Sequence, residues 1–288
     1  MSTSYKKIII IGAPRSGTNM LRDLLCNIDG VGTWPCDEIN YIWKHGNIGS
    51  LTDELSPVMA TTSVIKYIRN QFNKFAHKEK LGFVVEKTCA NSLRVDFVHK
   101  VFPEAKFIFI VRDGIDAVGS SSFRLTENLF KYIPYIINKI KYIPFTDLPY
   151  YSIRYFINRV NKIMSKEKKL SFWGPQFIGI DKANKQYSLE EVCALQWKKC
   201  VDLSEDALSK MNDDKVIRTS YESIVLNPEL ELSRILTSLN IPFLMNDLKN
   251  ATHGVTSNNI GKGRKTLSIK KLNLVSKILS ITLKKYGY

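Results

Sequence analysis

Gly12-Ala13-Pro14-Arg15-Ser16-Gly17-Thr18-Asn19 follows the apolar run Ile8 to Ile11 and leads into Met20 to Leu25, which has helical spacing. A buried strand that turns this way into a helix aims backbone N–H groups and a helix N-terminus at one point. That geometry receives a phosphate or sulfate group. Gly12 and Gly17 permit close backbone approach, Ser16, Thr18 and Asn19 carry hydrogen-bonding side chains, and Arg15 adds a planar positive fork. The two glycines have the spacing of the nucleotide-binding pattern GxxxxGK[ST], but Thr18 stands where that pattern has lysine. A second anchor lies in FIFIVRDGIDAVGSSSFR. Arg112 ends an apolar strand there, and Ser120 follows eight residues later, about two helical turns, so the two can converge on one side. Ligands of open α/β sheets bind outside the carboxyl ends of the strands. Two anion sites on neighbouring strand ends imply a ligand with two separated anionic groups.

The elements that must hold these loops alternate. Lys7 to Ile11, Gly82 to Val85, Lys106 to Val111 and Lys215 to Thr219 are short, β-branched or apolar runs that predict strands. Asn91 to Val101, stopped by Pro103, and Glu229 to Leu239, ended before Pro242, have helical spacing. Strand alternating with helix predicts an α/β fold, a P-loop-like doubly wound parallel sheet flanked by helices. Phe123 to Lys185 breaks that rhythm; between Lys131 and Lys169 it holds nine Lys/Arg against two acidic residues. The segment, about 123–190, is expected to be an inserted helical cap within one domain spanning residues 1–288.

Composition narrows the function classes. The 288 residues are 44% hydrophobic and 24% charged, which excludes a disordered or collagen-like chain. A formal charge of +15 favours anionic partners: nucleotides, sulfated or phosphorylated ligands, nucleic acid or an acidic membrane. No run of eighteen apolar residues is present, and Ile8 to Ile11 is too short for the core of a signal peptide. Five cysteines without a CxxC pair argue against a disulfide framework or structural zinc, and four scattered histidines against a His-rich metal site. A cytoplasmic location, with no metal requirement, is the expectation.

PRSGTNML and FIFIVRDGIDAVGSS together resemble the two signatures of sulfotransferases that use 3′-phosphoadenosine 5′-phosphosulfate (PAPS). VEKTCANSLRVDFVHKVFPEAKFIFIVRD is similar to the middle of Golgi and bacterial members, including carbohydrate and protein-tyrosine sulfotransferases. IRTSYESIVLNP resembles the segment with a cofactor-contacting tyrosine, and TSNNIGKGRKTLS the C-terminal cofactor loop. The resemblance implies PAPS as donor and adenosine 3′,5′-bisphosphate as product. It also implies that Arg15, Ser16, Gly17, Thr18 and Asn19 hold the 5′-phosphosulfate. Arg112 and Ser120 would hold the 3′-phosphate, with Arg124, Tyr221, Ser257 and Lys262 as further cofactor-binding residues. Two departures stand out: Arg15 replaces the first-loop lysine of many members, and Gly263 follows Lys262 where many have an aromatic residue.

Sulfuryl transfer to a hydroxyl needs a base for the acceptor, and positive groups for the transferring SO3 and the leaving phosphate. TWPCDEINYIWKHG offers Asp37 and Glu38, and the resemblance favours Glu38. Trp34, Tyr41 and Trp43 are expected to desolvate Glu38 and raise its pKa. Glu86 is the rival base, read rather as a partner of Lys87 or another basic residue. Lys87 ends a strand and should project over the cofactor-binding edge, and in the family this lysine contacts the transferring group. His45, His77, His99 and His253 receive no role. The acceptor is expected to be a carbohydrate or glycolipid hydroxyl, with the aromatic cap stacking on sugar rings and no nucleic acid bound. The stretch from Lys262 to Tyr288 has eight Lys/Arg, no acidic residue and an apolar stripe from Ile269 to Leu283. It reads as a packed terminal helix or a peripheral membrane contact. The rival functions are a P-loop nucleotide enzyme of kinase type and a non-catalytic polyanion- or membrane-binding module.

Overall fold

The computed structural model describes residues 5–126, 143–150 and 174–288, with backbone alone for 122–126. Strand β1 (Lys6–Ile11) leads through the glycine-rich turn into helix α1 (Thr18–Cys26), followed by the short strand β2 (Val31–Gly32). Helices α2 (Asn40–Lys44) and α3 (Thr62–Lys78) precede β3 (Phe83–Lys87). Then come α4 (Val95–Val101), β4 (Lys106–Val111) and α5 (Gly114–Thr126). After the segment that lies mostly outside the described residues come α6 (Ile180–Gln186), α7 (Leu189–Leu208) and β5 (Val216–Ser220). The chain ends with α8 (Tyr221–Leu226), α9 (Pro228–Leu239), α10 (Met245–Thr252), α11 (Lys262–Thr266) and α12 (Ile269–Lys285).

The five strands form one parallel sheet in the order β2-β3-β1-β4-β5. The chain leaves central β1 first toward β3 and later toward β4. The carboxyl ends of these three strands therefore meet where the winding reverses, the crevice in which such sheets bind ligands. Alternation along the strands divides the apolar residues between two cores. Ile9, Ile11, Phe107 and Phe109 face a layer that includes α3, α4, α5, α7 and α12. Ile8, Ile10, Ile108 and Ile110 face α1, α9 and α10.

The four expected strands form, with β2 as an additional short edge strand. The helix expected over 91–101 is broken: residues Cys89–Leu93 make a 3-10 turn, and α4 begins after Arg94, whose φ of −148° and ψ of 39° are not helical. The roots of the expected cap are tied to the loop after α2. Asp147 pairs with His45 at 2.8 Å, and the backbone of Gln176 exchanges hydrogen bonds with Asp53. Its interior lies outside the described residues. Among the described residues, no helix is long and apolar enough to cross a membrane.

Candidate active site

The turn between β1 and α1 is held in a strained shape. Arg15 has φ 67° and Gly17 φ 88°, both in the left-handed region. For Arg15 that backbone costs about 1–2 kcal/mol. It is retained because Arg112 Nη1 donates to the Arg15 carbonyl at 3.0 Å, while Arg15 Nε donates to Ser120 Oγ at 2.9 Å. Arg112 Nη2 also donates to the carbonyl of Asn259 at 2.7 Å, and its guanidinium lies 4.2 Å from the centre of the Tyr221 ring. Arg15, Arg112, Ser120 and Tyr221, distant in sequence, thus meet around one point. Arg112 Nε is buried and has no hydrogen-bond partner among the described residues.

A second group gathers at the end of β3. Lys87 Nζ donates to Glu38 Oε1 at 3.0 Å and to Asp37 Oδ1 at 3.1 Å, and the Cys89 N–H donates to Glu38 Oε1 at 3.2 Å. Burial opposes the charge on Lys87, but the Glu38 carboxylate and its neighbours outweigh it and hold the ammonium above the ordinary lysine range. Asp37 also accepts from Asn19 Nδ2 at 2.9 Å and Arg22 Nη1 at 3.0 Å. Its burial works against ionisation, yet Lys87 and Arg22 prevail and lower it to about 2. Glu86, one residue before Lys87, points to the other side of the strand, is fully buried and accepts from Thr88 and Asn91. Burial raises its carboxyl to about 7 against the opposing Thr88 hydrogen bond.

Members of both groups line a common cavity of about 830 Å³, whose wall includes Arg15, Gly17, Thr18, Asn19, Glu38, Lys87, Arg112 and Tyr221. A profile described as "Sulfotransferase family" matches residues 44–156. Among solved structures, a sulfotransferase domain from the curacin biosynthetic pathway superimposes with a TM-score of 0.55 at 14% identity, over 96% of this chain and 98% of its own. The sulfotransferase domain of the Synechococcus PCC 7002 olefin synthase gives 0.53 at 14% identity, over 99% and 95%. Sulfotransferase STF9 from Mycobacterium avium gives 0.52 at 14%, over 98% and 76%. The chain shares the fold of these sulfotransferases. No curated protein sequence matches it, and the likeness to the solved structures is one of fold.

Within this fold, not every expected site residue reaches the cavity. Ser16 is fully buried, its Oγ without a hydrogen-bond partner among the described residues, and it is absent from the cavity wall. Ser120 joins through Arg15 rather than by lining the cavity. Ser257 and Lys262 are exposed and lie off the wall, where Thr256 and Asn259 stand instead. The side chain of Arg124 lies outside the described residues. Two expectations are corrected. Trp34 and Trp43 do not cover Glu38: Trp34 stacks on Phe75 with ring centres 4.3 Å apart, and Trp43 packs edge-on against Phe72 and Phe102. Tyr41 alone of the three aromatics lines the cavity. Glu86 is not a partner of Lys87, because adjacent strand residues face opposite sides.

Sequence reasoning missed Arg22, Cys89, Asp116 and Asn259. Arg22 lies four residues after Thr18, one helical turn along α1, a spacing that signals a shared face. Asp116 accepts from the N–H groups of Gly261 and Gly263 at 2.6 and 2.7 Å and so ties the late loop to α5. No local pattern announces that pairing across 145 residues.

Proposed function

We propose that the chain transfers the sulfuryl group of PAPS to a hydroxyl of a carbohydrate or glycolipid, with Glu38 as general base. The observation that carries this reading is the contact of Glu38 with Lys87 on the wall of the cavity that Arg15 and Thr18 also line. The orphaned, buried Arg112 Nε and the turn at Gly17 fit a ligand with two separated anionic groups. The turn with Arg15, Thr18 and Asn19 would hold the 5′-phosphosulfate, and Arg112 with Ser120 the 3′-phosphate. When bound, PAPS supplies a sulfuryl group activated as a mixed anhydride with phosphate. Glu38 takes the acceptor's hydroxyl proton. Lys87 and Arg15 meet negative charge on the transferring group and the phosphate oxygen. Asp37, held near 2 by Lys87 and Arg22, stays ionised and orients Lys87. Asn40 and Tyr41 line the cavity beside Glu38, and an amide with an aromatic ring suits a polyhydroxyl acceptor.

The acceptor is sought with labelled PAPS against alkyl glycosides, free sugars, a sterol and a phenol. Label on a glycoside supports the carbohydrate class, and label confined to the sterol or phenol removes it. Glu38→Gln then tests the base. Affinity for adenosine 3′,5′-bisphosphate should stay nearly unchanged while kcat falls by roughly 10²–10⁴. A variant within a few-fold of the parent ends the assignment of Glu38.

A further inference from the structure

We propose that Glu86, on the far side of β3 from the cavity, is a positioning residue that sets the Glu38 carboxylate through two hydrogen-bonded arms. The inference rests on Glu38 being the base. A fully buried carboxylate is expensive unless its oxygens are matched. Both oxygens of Glu86 are matched, and both arms end on the residues that follow Glu38.

The first arm is Thr88. Its hydroxyl donates to Glu86 Oε1, and its oxygen accepts the Ile39 N–H at 3.2 Å. A hydroxyl has one proton. With the carboxylate taking that proton, only lone pairs remain toward the peptide joining Glu38 to Ile39. The second arm is Asn91. Its Nδ2 donates to Glu86 Oε2 at 2.9 Å, and its Oδ1 accepts from Arg94 Nε at 2.9 Å. The carboxylate therefore fixes which end of the amide faces Arg94. Arg94 in turn donates to Asn40 Oδ1, and Asn40 Nδ2 donates to Asp53 Oδ1 at 3.1 Å. Residues 39 and 40 are gripped in succession, and the next N–H after Thr88, that of Cys89, lands on Glu38 Oε1. Remove the acceptor at Glu86 and the Thr88 hydroxyl is free to turn its proton toward Ile39, so the loop carrying Glu38 loses its seat.

Thr88→Val keeps the shape and removes the hydroxyl, whereas Thr88→Ser keeps the hydroxyl. Glu86→Gln keeps an acceptor for Thr88 but sets its own NH2 against that of Asn91, breaking the second arm alone. Each is made in the parent and in Glu38→Gln. Turnover is measured with labelled PAPS on the best acceptor of the panel above, nucleotide affinity with adenosine 3′,5′-bisphosphate, and amide hydrogen exchange over residues 37–41. We expect Thr88→Val to lose about 10- to 100-fold in kcat, Thr88→Ser to restore it, and Glu86→Gln to lose several-fold. Nucleotide affinity should hold within about twofold. In the Glu38→Gln background neither Thr88→Val nor Glu86→Gln should cost anything further, because both act through Glu38. Exchange over 37–41 should quicken in Thr88→Val and Glu86→Gln but not in Thr88→Ser. Equal losses in both backgrounds, or unchanged exchange over 37–41, overturn the positioning role. A Glu38→Gln enzyme with parental turnover overturns the base itself, and is seen before any change at Thr88 or Glu86 is made.

Discussion

Two adjacent carboxylates divide their tasks by their partners. Asp37 Oδ1 accepts from Asn19, Arg22 and Lys87, so Asp37 remains a fixed anion. Glu38 accepts from Lys87 and one backbone N–H. Asp37 and Glu38 were both legible as candidate carboxylates, and the resemblance favoured Glu38; what separates them in the structure is Arg22, whose side chain joins Asn19 on Asp37. Glu86 and Lys87 were separable in principle, since strand alternation sends neighbours to opposite sides. The pH dependence of stability follows from the same residues. Asp37, lowered to about 2, contributes stability above the ordinary aspartate range, and that contribution is lost as pH falls toward 2. Glu86 has the opposite sign. Its carboxyl is raised from 4.5 to about 7, so the folded chain binds the proton more tightly, and stability is lost as pH rises from 4.5 through 7. Glu86→Gln has no such proton. Urea titrations over this range should show the parent losing stability relative to the variant as pH rises; parallel curves would contradict the raised carboxyl.

At the scale of elements, β1 and β4 were legible because their apolar runs are long and buried on both faces. Strand β2 has two residues and no periodicity to read. Helix α3 went unassigned although Val64, Ile68, Phe72 and Phe75 recur at helical spacing, and its buried stripe is what receives Trp34 and Trp43. Those two aromatics were misplaced because sequence neighbourhood to Glu38 says nothing about direction. The turn before α1 is where element and site coincide. A Cβ on Gly17 would sit 2.6 Å from Tyr221 Cδ2 with the backbone at φ 88°, so alanine is opposed by both conformation and contact. Gly17→Ala should lower stability by about 1 kcal/mol or more from the left-handed backbone alone. By pushing Tyr221 from under Arg112 it should also weaken adenosine 3′,5′-bisphosphate binding. Thermal unfolding and calorimetry on one preparation check both, and an alanine variant that binds and melts like the parent would refute the described turn.

At the scale of the molecule, the sheet brings loops from four strand ends to one crevice. The +15 charge was readable as a preference for anions, but not as a choice among them. The position after Gly17 narrows that choice: Thr18 packs its hydroxyl near Cys89 Sγ at 3.7 Å, where a lysine of the nucleotide-triphosphate pattern would reach the phosphates. The cation nearest the candidate base comes instead from β3, as Lys87. A calorimetric titration of the intact chain with adenosine 3′,5′-bisphosphate, run beside magnesium-ATP, therefore decides the ligand class. Binding of the bisphosphate should be saturable and at least tenfold tighter than that of magnesium-ATP, since a charge-assisted bond to the 3′-phosphate contributes about 1.5–3 kcal/mol. Tight magnesium-ATP binding with no affinity for the bisphosphate would contradict PAPS as the donor.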